Sequence, residues 1–311
     1  MTYSFDPRSS LPLVLGGNVF GWSADRENSF AVLDAFLDAG GTQIDTADAY
    51  ARWLPGSSGG ESETILGEWL AARGNRDRVF LATKVGALAP LDNLRAETIA
   101  TAIEDSLRRL QTDHLDLYWA HRDDENTPQE ETLEAFDTLV RAGKVRYLGA
   151  SNFSAERLQS ALDISEKHQF ASYVAVQPLY NLLEQAGWED GAGQVALANN
   201  LATWPYSSLA SGFLSGKYRR GSQVESVRSK AVAKYLNERG YQVIDAVQQI
   251  AEAHRVSIAG VALRWLSQQP GVLAPIASAR NTEQLADLLT VADFTLSQDE
   301  LDTLRAVASV R

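Results

Sequence analysis

Four residues of the chain combine a reactive type with a telling position. Asp45 and Tyr50 lie in the string Ile44-Asp45-Thr46-Ala47-Asp48-Ala49-Tyr50, Lys84 ends Ala82-Thr83-Lys84, and His121 ends Tyr118-Trp119-Ala120-His121. Each follows a short apolar run and so stands where a strand ends. A lysine drawn into a pocket loses its water and needs an anion to remain charged, and Asp45 is the candidate. A charged Lys84 close to Tyr50 is expected to lower the phenol from its reference near 10, towards proton exchange near neutral pH. His121 can orient a substrate oxygen. The set suits protonation of a carbonyl oxygen while a hydride arrives at carbon. Taken singly, the same residues read as a turn cap, a packing tyrosine and a structural histidine.

These groups can meet only if the strands that carry them run side by side. Apolar runs at Leu13 to Gly16, Thr42 to Asp45, Val79 to Lys84, Leu115 to Ala120, Val145 to Ala150, Val174 to Gln177, Leu201 to Tyr206 and Val272 to Ile276 alternate with helical spacing. That alternation implies a parallel sheet. Eight strand–helix units closing on themselves predict a (β/α)8 barrel, a TIM barrel of one domain over 1–311, with its reactive face at the C-terminal ends of the strands. An open doubly wound sheet would offer a nucleotide fingerprint after its first strand, and Gly16-Gly17-Asn18-Val19-Phe20-Gly21 does not match one. Helices are expected at Ser29 to Ala39, Glu61 to Arg73, Ala96 to Leu110, Pro128 to Ala142, Ala155 to His168, about Tyr241 to His254, Ile258 to Ser267, Thr282 to Leu289 and Ser297 to Ala308. Extra length after Tyr206 predicts a long loop, about 210–240, over the barrel mouth.

Forty acidic against 28 basic residues leave a net charge of −12, the wrong sign for a nucleic-acid or anionic-membrane partner bound through overall charge. The chain has no cysteine, which removes disulfides, thiolate nucleophiles and cysteine-ligated metals together. Met1 to Ser10 lacks the layout of a secretory signal, and no run reaches the roughly 18 apolar residues of a membrane helix, so a soluble, cytoplasmic protein is expected. A metal-assisted hydrolase built on His121, Asp123, Asp124 and Glu125 is a rival reading, weakened because adjacent residues point in different directions.

The strings around Asp45, Tyr50, Lys84 and His121 resemble the active-site motifs of the aldo-keto reductase superfamily. So do Gly149-Ala150-Ser151-Asn152-Phe153, Val176-Gln177-Pro178-Leu179-Tyr180-Asn181, Tyr206 to Tyr218 and Arg280 to Gln284, in the family's order along nearly the whole chain. The resemblance implies NAD(P)H-dependent interconversion of carbonyls and alcohols, with a small-molecule carbonyl or alcohol as partner. It makes Tyr50 the general acid or base, tuned by Lys84 and Asp45, and gives His121 the carbonyl oxygen. It places the nicotinamide carboxamide on Ser151, Asn152 and Gln177, with Tyr206 stacked on the ring. Ser207, Leu209 and Gly212, with Lys217, would form the diphosphate loop, and Gly17 and Asn18 would join the cofactor site. Ser278, Arg280 and Gln284 would form the adenosine end, where Arg280 favours NADP(H) over NAD(H). Ser278 stands where related sequences often have glycine, and Leu288 where they have asparagine. Trp22, Trp53, Trp119 and Trp188 are candidate pocket walls, Trp22 and Trp53 foremost, and the segment from Ala51 to Gly60 is a lid or a passive turn. A cofactor-binding regulatory subunit, similar to potassium-channel β-subunits, is the alternative from a different class.

Overall fold

A computed structural model of the protein describes residues 11–221, 224 and 229–309. Met1 to Ser10 and parts of the expected 210–240 loop lie outside the described residues. Eight parallel strands are found among the described residues: β1 (Val14–Gly16), β2 (Gln43–Asp45), β3 (Phe80–Val85), β4 (Leu115–Ala120), β5 (Val145–Ser151), β6 (Tyr173–Gln177), β7 (Ala202–Thr203) and β8 (Ile276–Ala277). They pair in chain order, and β8 returns to β1. A bridge from Thr203 to Val272, with Ile276 N donating to Pro205 O at 2.9 Å, joins β7 to the chain entering β8. The fold is a (β/α)8 barrel, as the strand–helix alternation predicts.

Helices α1 (Arg26–Asp38), α2 (Glu61–Arg73), α3 (Ala96–Leu110), α4 (Gln129–Arg141) and α5 (Ala155–His168) follow β1 to β5 in turn. After β6 come α6 (Ala186–Glu189) and α7 (Ala192–Ala198), neither expected from the sequence. α8 (Ser229–Val232), α9 (Glu238–His254) and α10 (Ile258–Ser267) follow β7, and α11 (Thr282–Leu289) and α12 (Gln298–Ser309) follow β8. Side-chain caps start several of them. The Ser154 hydroxyl accepts from Arg157 N, Asn281 from Gln284 N, and Glu300 accepts from Ser297 N, each satisfying a first-turn donor or its reciprocal. Two expectations need correction. The eighth strand is Ile276–Ala277 rather than 272–276, and the segment 210–240 is not a plain loop, because it carries α8 and tight helical turns at Ala210–Ser215 and Ala233–Tyr235. Lys234 and Tyr235 of that segment donate to Glu184, at 2.5 and 3.0 Å, tying it to the connection after β6.

Successive side chains of a strand point to opposite faces, and in a barrel those faces are the interior and the helix layer. Along β3, Leu81 and Val85 pack under the helices, while Phe80 and Ala82 face the interior with Leu117, Trp119 and Trp204. Trp119 and Trp204 meet edge-on at 5.7 Å and plug the barrel. Gly149 makes room for them, since a Cβ there would fall 2.3 Å from the Trp119 ring. The next inward position of β3 above this plug is Lys84, paired in register with Trp119, and the inward position at the end of β2 is Asp45. Alternation along two strands therefore delivers a cation and an anion to one layer, at the C-terminal mouth.

Helices α2 and α3 approach at Gly67, whose missing Cβ would lie 2.0 Å from Arg109 O. A Gly67→Ala substitution should separate them, at a cost of about 1–3 kcal/mol. A lowered urea midpoint would show it; an unchanged midpoint would mean that the helices part freely.

Candidate active site

Lys84 is the hub of the mouth. Its side chain is 0% exposed, and Nζ donates to Asp45 Oδ2 at 2.5 Å, to Thr46 O at 2.7 Å and to Tyr50 Oη at 2.8 Å. An ammonium has three N–H groups, and all three are engaged. Burial alone would lower the Lys84 pKa, but the charge of Asp45, the Tyr50 oxygen and the hydrogen bonds to both together more than offset this and hold it above its ordinary value, so the amine is protonated. Burial pushes the Asp45 carboxyl upward, opposed by Lys84 and by Gln177, whose Nε2 donates to Oδ1 at 3.0 Å. Donors on both oxygens describe an ionised carboxylate held on two sides.

Because the Tyr50 oxygen accepts from Lys84, the phenol's own proton is left to face the cavity. Burial raises the Tyr50 pKa, and the Lys84 charge pulls against that rise without reversing it. The expected acidification thus has the right sign as a contribution, but desolvation of the phenolate outweighs it. His121 sets its ring edge-on to Tyr50, with centroids 6.2 Å apart. Burial, then the charges of Lys84, Arg122 and Arg52, push it down to about 3, so its imidazole is neutral across the physiological range.

A chain of hydrogen bonds runs from this cluster along the rim. Gln177, bonded to Asp45, accepts through its backbone oxygen from Ser151 Oγ at 2.8 Å; Asn152 Nδ2 donates to Ser151 Oγ and to His121 O, both at 3.0 Å; and Tyr206 Oη donates to Asn152 Oδ1 at 2.8 Å. Asn152 has a φ of 58°, a left-handed conformation that asparagine tolerates better than most residues.

These groups open onto one cavity of about 620 Å³. Of the sequence-predicted residues, Asp45, Tyr50, His121, Ser151, Asn152, Gln177 and Tyr206 line it at the centre. Asn18, Ser207, Leu209, Gly212 and Lys217 line it further along, and Ser278, Arg280 and Gln284 at the far end. Lys84 sits directly beneath. Gly17 is not brought to the wall: it is buried, its carbonyl accepts from Ser62 Oγ at 2.7 Å, and a Cβ would meet that same oxygen at 2.8 Å. It is a packing glycine, and its neighbours Gly16 and Asn18 line the cavity instead. Trp53 lines the cavity; Trp22 reaches it indirectly, packed edge-on against Trp53 at 5.1 Å. Trp119 belongs to the barrel plug, and Trp188 faces a separate groove beside α5.

The cavity has the features of a long anionic cofactor's bed. Ser207, Ala210, Ser211, Gly212 and Gly216 all have positive φ, with values of 52, 48, 59, 96 and 88°. Ala210, Ser211 and Gly212 are consecutive, so the chain turns sharply here, and three of the five residues carry a Cβ in this strained conformation. Lys217 Nζ lies 3.8 Å from where a Cβ of Gly212 would be, an ordinary contact, so the φ of 96° rather than crowding favours glycine there. At the far end Ser278 Oγ donates to Asn18 Oδ1 at 2.7 Å, and Arg280 stands exposed before the Asn281-capped start of α11, its backbone N–H on Gln284 Oε1 at 3.1 Å. Ser208, within the expected loop, also lines the cavity, and Ser23, Ala259 and Asp287 line it but were missed from sequence. The helical spacing of Gln284, Asp287 and Leu288 on α11 was the available signal for Asp287.

The family model described as "Aldo/keto reductase family" matches residues 12–309. The chain belongs to the aldo/keto reductase family. It is 34% identical to the uncharacterized oxidoreductase YrpG of Bacillus subtilis (strain 168), over 99% of this chain and 96% of the relative. It is 31% identical to the protein tas of Escherichia coli (strain K12), over 100% and 98%. L-glyceraldehyde 3-phosphate reductase of Escherichia coli O157:H7 is 30% identical over 91% of this chain and 84% of its own. Family membership supports an oxidoreductase acting on small carbonyl compounds with a nicotinamide cofactor. Against the rival hydrolase, the Asp123 carboxylate is gripped by Arg157 Nε at 2.6 Å and Nη2 at 2.8 Å, and Asp124 accepts from Thr127 Oγ1 at 2.6 Å. No group of three metal-ligating side chains occurs among the described residues. No helix among them is long and apolar enough to cross a membrane.

Proposed function

We propose that this protein reduces an aldehyde or ketone to an alcohol, or runs the reverse reaction, with NADP(H) in preference to NAD(H) and Tyr50 as the proton donor. The observation that carries this reading is the Lys84 ammonium shared between Asp45 and the Tyr50 oxygen, beneath a cavity whose wall presents carboxamide-matching groups. When bound, the nicotinamide supplies the hydride chemistry. Ser151, Asn152 and Gln177 hold its carboxamide through hydroxyl and amide groups already oriented by their mutual hydrogen bonds, and Tyr206 covers the ring. Because these residues connect through Gln177 to Asp45, the clamp and the proton donor are fixed in one frame, which serves positioning.

Tyr50 gives its proton to the carbonyl oxygen, and Lys84 stabilises the phenolate left behind. Neutral His121 donates a hydrogen bond to the same oxygen without adding a second cation. Trp53, backed by Trp22, offers an apolar wall for the substrate's carbon skeleton. The name of the Escherichia coli relative, a reductase of a three-carbon aldehyde phosphate, supports carbonyl reduction as the reaction class. The test is NADPH consumption with a panel of aldehydes and ketones: turnover supports the reading, whereas tight NADPH binding without turnover of any member favours the regulatory-subunit alternative.

Arg280 is assigned to the 2′-phosphate. Its side chain forms no ion pair among the described residues, so it can turn to an anion without breaking one. Arg280→Ala should weaken NADPH binding about ten- to hundredfold, the worth of a charge-assisted hydrogen bond, and leave NADH nearly unaffected. Equal losses for both cofactors, measured by fluorescence titration, would remove the assignment.

A further inference from the structure

Behind the proton donor lies a second set of acids that the mechanism above does not use. Asp48, two residues before Tyr50, is 1% exposed, and neither of its carboxyl oxygens makes a well-formed hydrogen bond among the described residues. Beside it is Glu63 of α2, fully buried but satisfied: Arg109 Nε of α3 donates to Oε2 at 2.6 Å and Thr83 Oγ1 of β3 donates to Oε1 at 2.6 Å. On the β4 side stands Tyr118, fully buried, its hydroxyl also without a partner among the described residues. The loop after Tyr50 closes the cluster. Gly59 and Gly60 are left-handed, and their bare Cα atoms lie where a Cβ would come within 2.9 Å of Asp48 O and 2.5 Å of Arg109 Cδ.

The cluster therefore holds two carboxyls and one guanidinium, and the guanidinium is taken. The charged and titratable groups that act on Asp48 are Glu63, Arg109 and Lys84, with Tyr118 and Tyr50 as the phenols it acts on in turn. A buried carboxylate whose one donor is the poorly aligned Ala49 amide, beside another carboxylate, is costly to ionise. We infer that Asp48 is a positioning residue for proton transfer: a carboxyl that keeps its proton in the neutral range and, once ionised, turns a negative charge on Tyr50 that keeps the phenol protonated. Burial, then the charge of Glu63, push Asp48 up to about 8. The sign is protective for reduction. As pH rises past that point the new anion opposes formation of the Tyr50 phenolate, so the proton donor survives further into alkali than Lys84 alone would allow. The same charge delays the phenolate needed as base for alcohol oxidation.

The inference rests on the assignment of Tyr50 as proton donor, and its tests are chosen to fail separately from that assignment. Infrared difference spectra of the intact protein should show a protonated carboxyl that ionises between about pH 7 and 9 and is missing in Asp48→Asn. Absence of that band at neutral pH would overturn the inference, whatever the enzyme reduces. The ultraviolet tyrosinate signal assigned to Tyr50, by subtraction of Tyr50→Phe, should rise at lower pH in Asp48→Asn than in wild type; an unmoved signal would overturn the coupling without any turnover being needed. With a carbonyl substrate, the ratio of variant to wild-type kcat for reduction should fall as pH rises along the alkaline limb, reaching roughly three- to tenfold only where the pH exceeds the Tyr50 value in both proteins, the effect of a coupling of about half to one pH unit. A ratio constant with pH would mean that Asp48 is merely structural. If Asp48→Asn does not fold, Glu63→Gln gives the same information: it frees Arg109 to face Asp48, and the carboxyl band should disappear at lower pH than in wild type.

Discussion

Tyr50→Phe should reduce kcat for carbonyl reduction by about 10²- to 10⁴-fold, the usual contribution of a positioned general acid. NADPH affinity should stay near wild type, because the groups assigned to the cofactor hold one another independently of the phenol: Tyr206 on Asn152, Asn152 on Ser151, Ser151 on Gln177. The lost hydroxyl deprives the Lys84 ammonium of one of three acceptors, leaving Asp45 and Thr46 O in place, so the fold should lose only about 1 kcal/mol. KM should change less than kcat, since the proton is needed as the carbon–oxygen bond polarises and not when the substrate enters. Activity that survives in the phenylalanine variant should have lost the alkaline limb due to Tyr50. Stopped-flow measurement of NADPH oxidation, with cofactor affinity measured separately, checks each part. Turnover within a fewfold of wild type would strip Tyr50 of the role.

How much of this was legible before the structure depends on the residue. Lys84 was, because a lysine at an inward position of an apolar strand has few explanations other than a buried pair, and β3 itself was placed within a residue of its true span. The short strands were not. β7 and β8 contain two residues each, and both are interrupted by a proline without an N–H: Pro205 follows β7 and Pro275 precedes β8, each serving the ring only through its carbonyl. Apolar runs of five or six residues at those places therefore overstate the ladder. Helices α6 and α7 were missed because Gly187, Gly191 and Gly193 suppress helical spacing, while Gly193 is held against the Trp188 carbonyl, 2.6 Å from its would-be Cβ. Gly17 misled for a related reason. A glycine near a strand end suggests close approach of a ligand, but here the close approach is by Ser62 of the same chain. Asp48 and Glu63 were invisible as a pair, since α2 brings them together only after the barrel has formed.

The largest effect on stability should come from Lys84→Met. The variant leaves Asp45 with no paired cation on a site whose side chain is 1% exposed, supported by the neutral donors of Gln177 and Trp119. Removing one partner of a buried pair costs about 3–5 kcal/mol, because the remaining charge is uncompensated. That cost should depend on pH in a defined direction. In the variant the folded state holds Asp45 protonated well above its unfolded value near 4, so the folded state binds a proton the unfolded chain does not. Stability should then fall as pH rises from about 4 through the neutral range, and the deficit against wild type should be smaller at about pH 5 than at about pH 8. Urea midpoints at the two values decide it, and an equal deficit at both would mean that Asp45 is not the source. A companion variant separates folding from chemistry. Replacing both members, Lys84→Met with Asp45→Leu, removes the stranded charge and exchanges the pair for apolar volume, which commonly restores or exceeds the original stability. Such a protein should melt near wild type and reduce nothing, since its phenol has neither the ammonium that stabilises its conjugate base nor the frame that joins it to Gln177. A double variant that is folded and active would show that the ion pair at the barrel mouth is an architectural feature and that proton transfer is arranged by other groups.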